Sequence, residues 1–138
     1  MSERTKARKR AMDVLYSSLL LDRELFDGFE LAIEDARKHP ERSGWEYASE
    51  IIEGILMNEQ RIDDTIDTYS VNWTTERIKP LVLAILRIAT WELSYTEVPT
   101  AVVIDEAVEA AKTYVDEESA AFVNGILGQI ASGARPSD

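Results

Sequence analysis

The stretch Pro80-Leu81-Val82-Leu83-Ala84-Ile85-Leu86-Arg87-Ile88-Ala89-Thr90-Trp91-Glu92-Leu93 decides the fold. Its apolar residues fall on nearly every side of a helix. A helix of that kind sits in the middle of a domain, covered on several sides. Pro80 suits its first turn, where a missing N–H costs nothing. The uninterrupted apolar piece, Leu81 to Leu86, is far short of the roughly 20 residues a membrane span needs. The stretch therefore predicts a central helix over Pro80 to Thr96 and no membrane contact.

The segments on either side supply its cover. Within residues 5 to 22, Ala7, Ala11, Val14, Leu15 and Leu19 recur on one helix face. Leu25 to Lys38 predicts a second helix with Phe29, Ile33 and Ala36 inward, ended by Pro40, Ser43 and Gly44. Trp45 to Tyr69 places Ile51, Ile55, Ile62, Ile66 and Tyr69 on one face, with a bend near Asn58. Ser70 to Thr75, holding Trp73, reads as a loop. Thr100 is the expected N-cap of a helix striped by Ile104, Ala107, Val108, Ala111 and Val115. Ser119 is the expected cap of a last helix striped by Val123, Ile126, Leu127 and Ile130. Gly125 and Gly128 are expected to form a notch for close packing there, and residues 132 to 138 to fray. No segment has strand periodicity. The expectation is an all-α protein, a compact bundle of about six or seven helices forming one domain over residues 1 to 138.

Composition narrows the function. The 138 residues include no cysteine and one histidine, His39. Disulfides and thiolate metal sites are excluded, and a reducing cytoplasm is the expected location. The basic start before Val14, Leu15 and Leu19 to Leu21 is read as an amphipathic helix and not a signal peptide, because Asp13 interrupts it and Asp22 and Arg23 end it. No glycine-rich phosphate loop occurs. Asp63, Asp64 and Asp67, like Asp105, Glu106 and Glu109, have a spacing that could hold Mg²⁺, but such spacing far more often describes the solvated face of an acidic protein. No catalytic site, metal site or cofactor is expected, and the protein reads as a binding protein.

Charge shows where it binds. The net charge is −11. Residues 1 to 10 carry Arg4, Lys6, Arg8, Lys9 and Arg10 against Glu3, a local +4 that leaves −15 on the rest. Such a cationic arm can hold phosphate locally, because screening limits the reach of the acidic remainder to about 8 Å. Cations in a first helical turn oppose the macrodipole, so a frayed start is expected. Three more residues stand out. Arg87 is the one cation inside the apolar helix, either ion-paired or in contact with phosphate. Phe122 lies beside the last apolar stripe, at the core edge or as a stacking platform. Tyr16 offers its hydroxyl to RNA or to a buried partner.

Several segments taken together resemble the NusB family of transcription antitermination factors. They are Arg8-Lys9-Arg10-Ala11-Met12-Asp13-Val14-Leu15-Tyr16, Ile85 to Leu93, Val98-Pro99 through Ile104-Asp105-Glu106-Ala107-Val108 to Lys112, and Phe122-Val123-Asn124-Gly125-Ile126-Leu127. The resemblance covers nearly the whole chain. It implies two packed helical subdomains and binding of single-stranded boxA RNA from ribosomal leader transcripts. It also implies a ribosomal protein partner, NusE, and a place in the RNA polymerase antitermination complex with other Nus factors. The family pattern puts RNA near the basic arm and Tyr16, and near Arg87, Tyr114, Glu118 and Phe122. Asp105 replaces the family's usual Asn, Gly128 a common Asp, and Ala120-Ala121 a more polar pair.

Two other readings stay open on the residues alone. One is a helical adaptor that binds protein and has little RNA affinity. The other is a detached RNA module of the kind fused to rRNA cytosine methyltransferases, whose catalytic cysteines this chain lacks. Apolar helix faces are equally consistent with a monomer and with a homodimer that hides the RNA surface.

Overall fold

A computed structural model describes residues 2–70 and 77–134. Every regular element among them is a helix: α1 (Glu3–Leu20), α2 (Leu25–Arg37), α3 (Trp45–Met57), α4 (Glu59–Tyr69), α5 (Pro80–Tyr95), α6 (Thr100–Tyr114) and α7 (Glu117–Ala134). The chain divides into two compact units, Met1–Met57 and Asn58–Asp138. The bend expected near Asn58 is this boundary, where the backbone leaves helical geometry between α3 and α4. The loop expected around Trp73 and residues 135–138 of the tail lie outside the described residues. Residues 132–134, expected to fray, continue α7.

In the first unit, α1 packs on α3 through small side chains. Ala7, Ala11 and Ala48 are wholly buried, and Leu15, Ile51, Ile52 and Ile55 fill the space alongside. The turn into α3 presses on α1 at Gly44. Its φ of 91° lies in the left-handed region, and a Cβ there would stand 3.1 Å from the Ala7 nitrogen. Glycine meets both demands without strain. Helix α2 is attached more lightly. Only its Gly28 is buried, close against the Ser18 hydroxyl of α1. Phe29, Ile33 and Ala36 are half-buried and not fully inward.

The start of α1 is a correction. The five cations argue for fraying, yet the helix is formed from Glu3. The Thr5 N–H donates to the Ser2 hydroxyl at 3.1 Å, and Glu3 places an anion in the first turn. A side-chain cap and an acidic first turn both stabilise a helix N-terminus.

In the second unit α5 is central, as expected. From Val82 to Leu93 every residue except Arg87 is buried. Helices α4, α6 and α7 pack on it, α6 contributing Val103, Ala107 and Ala111 and α7 contributing Val123, Ile126, Leu127 and Ile130. Ile104 and Val108 are half-buried, so the α6 stripe is centred one residue earlier than expected.

Both caps expected here move. Helix α6 starts with Thr100 already inside it and Pro99 at the cap position, where no side chain caps the helix. Helix α7 starts at Glu117, ahead of Ser119, because the Asp116 carboxylate accepts the Ser119 N–H at 2.7 Å. Hydrogen bonds from the Ser119 side chain and backbone, with Lys79 adding its charge, lower the Asp116 pKa to about 2. The expected notch is also absent. Gly125 and Gly128 are exposed, and nothing lies within 4 Å of where a Cβ would stand. The α7 glycine that meets a neighbour is Gly133, set against the Tyr69 hydroxyl of α4.

Candidate nucleic-acid interface

An α-helix turns about 100° per residue, and this splits the five cations of α1 into three directions. Arg4 and Arg8, one turn apart, share one shoulder of the buried stripe. Their guanidinium carbons lie 4.1 Å and 5.9 Å from the centre of the Tyr47 ring, on α3. Arg10 lies on the opposite shoulder. Its guanidinium is 5.2 Å from the Trp45 ring, and its Nε donates to the Ser43 carbonyl. Lys6 and Lys9 face away from the core together with half-buried Tyr16. The Lys9 ammonium donates to both oxygens of Asp13, at 2.7 and 2.8 Å, and Lys6 lies 3.7 Å from Glu3.

These engagements differ in what they leave available. A ring takes the flat face of a guanidinium and does not occupy its in-plane N–H donors. The Tyr47 ring therefore engages Arg4 without using the groups that would donate to phosphate, and Arg8 stands farther from the same ring. Lys6 and Lys9 hold exposed ion pairs, which are weak and exchange readily with a stronger anion. Arg10 is anchored to the backbone, so its first role is to fix the α2–α3 turn. Beside it a cavity of about 330 Å³ opens between α1 and α2, lined in part by Arg23, Asp13, Asp35 and Trp45.

The second unit holds the other residues singled out from the sequence. Tyr114 closes α6 and is 38% exposed. Glu118 is exposed in the first turn of α7, and half-buried Phe122 follows one turn later on the same face. The three thus gather on either side of the α6–α7 turn that Asp116 caps. Phe122 is neither fully core nor fully open.

Arg87 is not part of this group, and the structure shows it ion-paired. Its Nε and one terminal nitrogen donate to the two oxygens of Asp63 on α4, both at 2.8 Å. The Arg87 side chain is 12% exposed and that of Asp63 22%. Asp63 thus takes two of the five N–H donors of a guanidinium that is largely covered. Arg87 thereby ties α5 to α4. Asp63, which the sequence offers as a metal ligand or a solvated carboxylate, is its partner, and no acidic or histidine cluster among the described residues could hold a metal ion.

Tyr47 is the residue that sequence reasoning missed. It breaks no pattern of its own, because an aromatic near a helix start is ordinary. The available signal was the pairing of Arg4 with Arg8 at i, i+4, a like-charge spacing that is unfavourable unless something seats it.

With this geometry in place, comparison with known proteins is informative. The sequence model of the NusB family matches residues 5–132. The transcription antitermination protein NusB of Leifsonia xyli subsp. xyli is 44% identical over 140 residues, covering 100% of this chain and 96% of that protein. A solved structure of T. maritima NusB superposes with a TM-score of 0.83 at 33% identity, over 99% of this chain and 96% of that one. A crystal structure of the antitermination factors NusB and NusE in complex with dsRNA gives a TM-score of 0.81 at 26% identity, over 96% and 98%. No helix of the described residues is long and apolar enough to cross a membrane.

Proposed function

This chain belongs to the NusB family of transcription antitermination proteins, and on that premise we propose that it binds boxA RNA of ribosomal leader transcripts together with NusE. In this reading it acts in the cytoplasm, within an RNA polymerase antitermination complex with other Nus factors, and promotes processive rRNA transcription. The observation that supports it best is the formed, capped α1, which carries Arg4, Lys6, Arg8 and Lys9 at the surface of a protein of net charge −11. The related NusB–NusE structure, a complex with dsRNA, supports NusE and RNA as partners.

The division of labour follows from the chemistry. The α1 cations contact phosphate, which positions the RNA without reading it. Tyr16 on α1, and Tyr114, Glu118 and Phe122 at the α6–α7 turn, supply stacking surfaces and hydrogen-bonding groups that distinguish unpaired bases. The acidic second unit opposes phosphate, so a basic ribosomal protein alongside raises RNA affinity.

The test is a titration of labelled single-stranded boxA RNA, a scrambled strand and a duplex, each with and without NusE. The expected result is preference for single-stranded boxA, strengthened by NusE. Equal binding to all three RNAs, or no binding even with NusE, contradicts it and favours a purely protein-binding adaptor.

A further inference from the structure

The cations of α1 do not all reach solvent in the same way, and one pair is seated on an aromatic ring of another helix. We propose that Tyr47 is a positioning residue of the RNA surface: its ring holds Arg4 and Arg8 as an ordered pair that meets neighbouring phosphates. The inference rests on the reading of α1 as a phosphate-contacting helix and goes beyond it, since Tyr47 lies on α3 and outside every motif that points to RNA.

Three observations carry it. Arg4 and Arg8 are one turn apart on α1, where two like charges repel. Both guanidinium groups lie within cation–π range of a single ring, Arg4 at 4.1 Å and Arg8 at 5.9 Å. Tyr47 cannot easily drift from beneath them. It is half-buried in the second position after Trp45, and its neighbour Ala48 is wholly buried in the α1–α3 contact. Gly44 fixes the same turn of α3 against Ala7 of α1. The ring is thus carried by a backbone segment held between Gly44 and Ala48 against α1.

The geometry also explains why an aromatic serves here better than a carboxylate. A carboxylate would take two of the guanidinium's donors, as Asp63 does for Arg87, and would compete with phosphate for them. The ring engages the flat face and makes no use of the donor edge. Arginine side chains are rich in rotamers, and seating them before binding lowers the ordering cost when RNA arrives. Arg4 is the closer of the two and depends more on the ring.

The test uses the full chain with NusE and a fluorescein-labelled single-stranded boxA RNA, titrated at several salt concentrations. Wild type is compared with Tyr47→Phe, Tyr47→Leu, the double variant Arg4→Gln/Arg8→Gln, and the triple variant that adds Tyr47→Leu. Tyr47→Leu is expected to weaken binding about fivefold, the range for loss of exposed cation–π seating, and to make the log–log salt slope shallower. Tyr47→Phe keeps both values near wild type. In the double-glutamine background, Tyr47→Leu has no further effect. Without RNA, the upfield ring-current shifts of the Arg4 side-chain protons disappear in Tyr47→Leu while the helical circular dichroism signal stays.

Other outcomes overturn the proposal. If the double-glutamine variant binds weakly but Tyr47→Leu binds normally, the ring positions nothing, and α1 remains the RNA surface. If Tyr47→Leu still weakens binding in the double-glutamine background, the ring touches RNA or supports the fold and does not act through the arginines. If the double-glutamine variant itself binds with unchanged affinity and salt slope, these arginines do not contact phosphate, and the reading of that shoulder of α1 falls with the inference.

Discussion

Arg4 and Arg87 show two uses of the same side chain in two units of one protein. In the first unit the Arg4 guanidinium stands 4.1 Å from the centre of the Tyr47 ring, a contact that takes none of its N–H donors. In the second, Arg87 is closed by both oxygens of Asp63 within a helix contact. The difference is the partner's chemistry. A ring engages a guanidinium without accepting from its N–H donors, whereas a bidentate carboxylate occupies two of the five. The first arrangement suits a surface that receives phosphate, and the second suits a core edge that must hold α4 to α5. A charged residue within a family's RNA-associated pattern is therefore not by that fact an RNA ligand.

The largest effect that would break this comparison is on stability. Asp63→Ala leaves the Arg87 guanidinium half-covered without its carboxylate. It is expected to destabilise the protein by about 2–3 kcal/mol in denaturant unfolding, between the values for exposed and fully buried pairs. The salt slope of RNA binding should stay unchanged. A loss of slope with no loss of stability would make Arg87 a phosphate contact after all.

Gly44→Ala tests the frame that holds the first unit's arginines in place. A side chain at φ 91° and 3.1 Å from the Ala7 nitrogen is expected to cost about 1–3 kcal/mol in the same unfolding measurement. Arg4→Gln/Arg8→Gln should change stability by less than about 1 kcal/mol, because the seating on Tyr47 is exposed. Set beside Asp63→Ala, this pair of variants gives the sharpest difference between the units.

The smallest effect concerns the α7 cap. The Asp116 carboxyl is held at about 2 against its ordinary 3.8 by Ser119 and Lys79. A lowered carboxyl pKa contributes stability above about pH 4 that is lost as pH falls towards about 2. Wild type should therefore exceed Asp116→Ala in stability at about pH 5, and the gap should shrink across that window. A gap that is constant with pH would show that the cap acts without its charge.

Much of this was legible in the sequence. The central helix was, because Val82 to Leu93 holds only three polar residues, Arg87, Thr90 and Glu92, on a chain segment that must be covered. A bend near Asn58 was expected within the stripe from Ile51 to Tyr69, but its place as a boundary between units depends on contacts distant in sequence. Caps were misread where a proline or an aspartate competes with the hydroxyl chosen: Pro99 precedes Thr100, and Asp116 takes the N–H of Ser119. Gly125 and Gly128 were misread because exposure, unlike periodicity, is not written in a helix that is apolar on one side only. The site was legible as a set of residue types and not as geometry. The cations of α1 were evident, but neither the ring beneath Arg4 and Arg8 nor the carboxylate facing Arg87 is close to them in sequence.

Whether α1 supplies the phosphate contacts of RNA binding is decided most directly by salt dependence. The measurement is boxA RNA binding over a range of salt concentrations, with NusE present, for wild type and for Arg4→Gln/Lys6→Gln/Arg8→Gln/Lys9→Gln. The quadruple variant is expected to bind more weakly, with a log–log slope shallower by about one for each phosphate interaction removed, and still to prefer boxA over a scrambled strand. An unchanged slope in that variant would contradict a phosphate-binding α1.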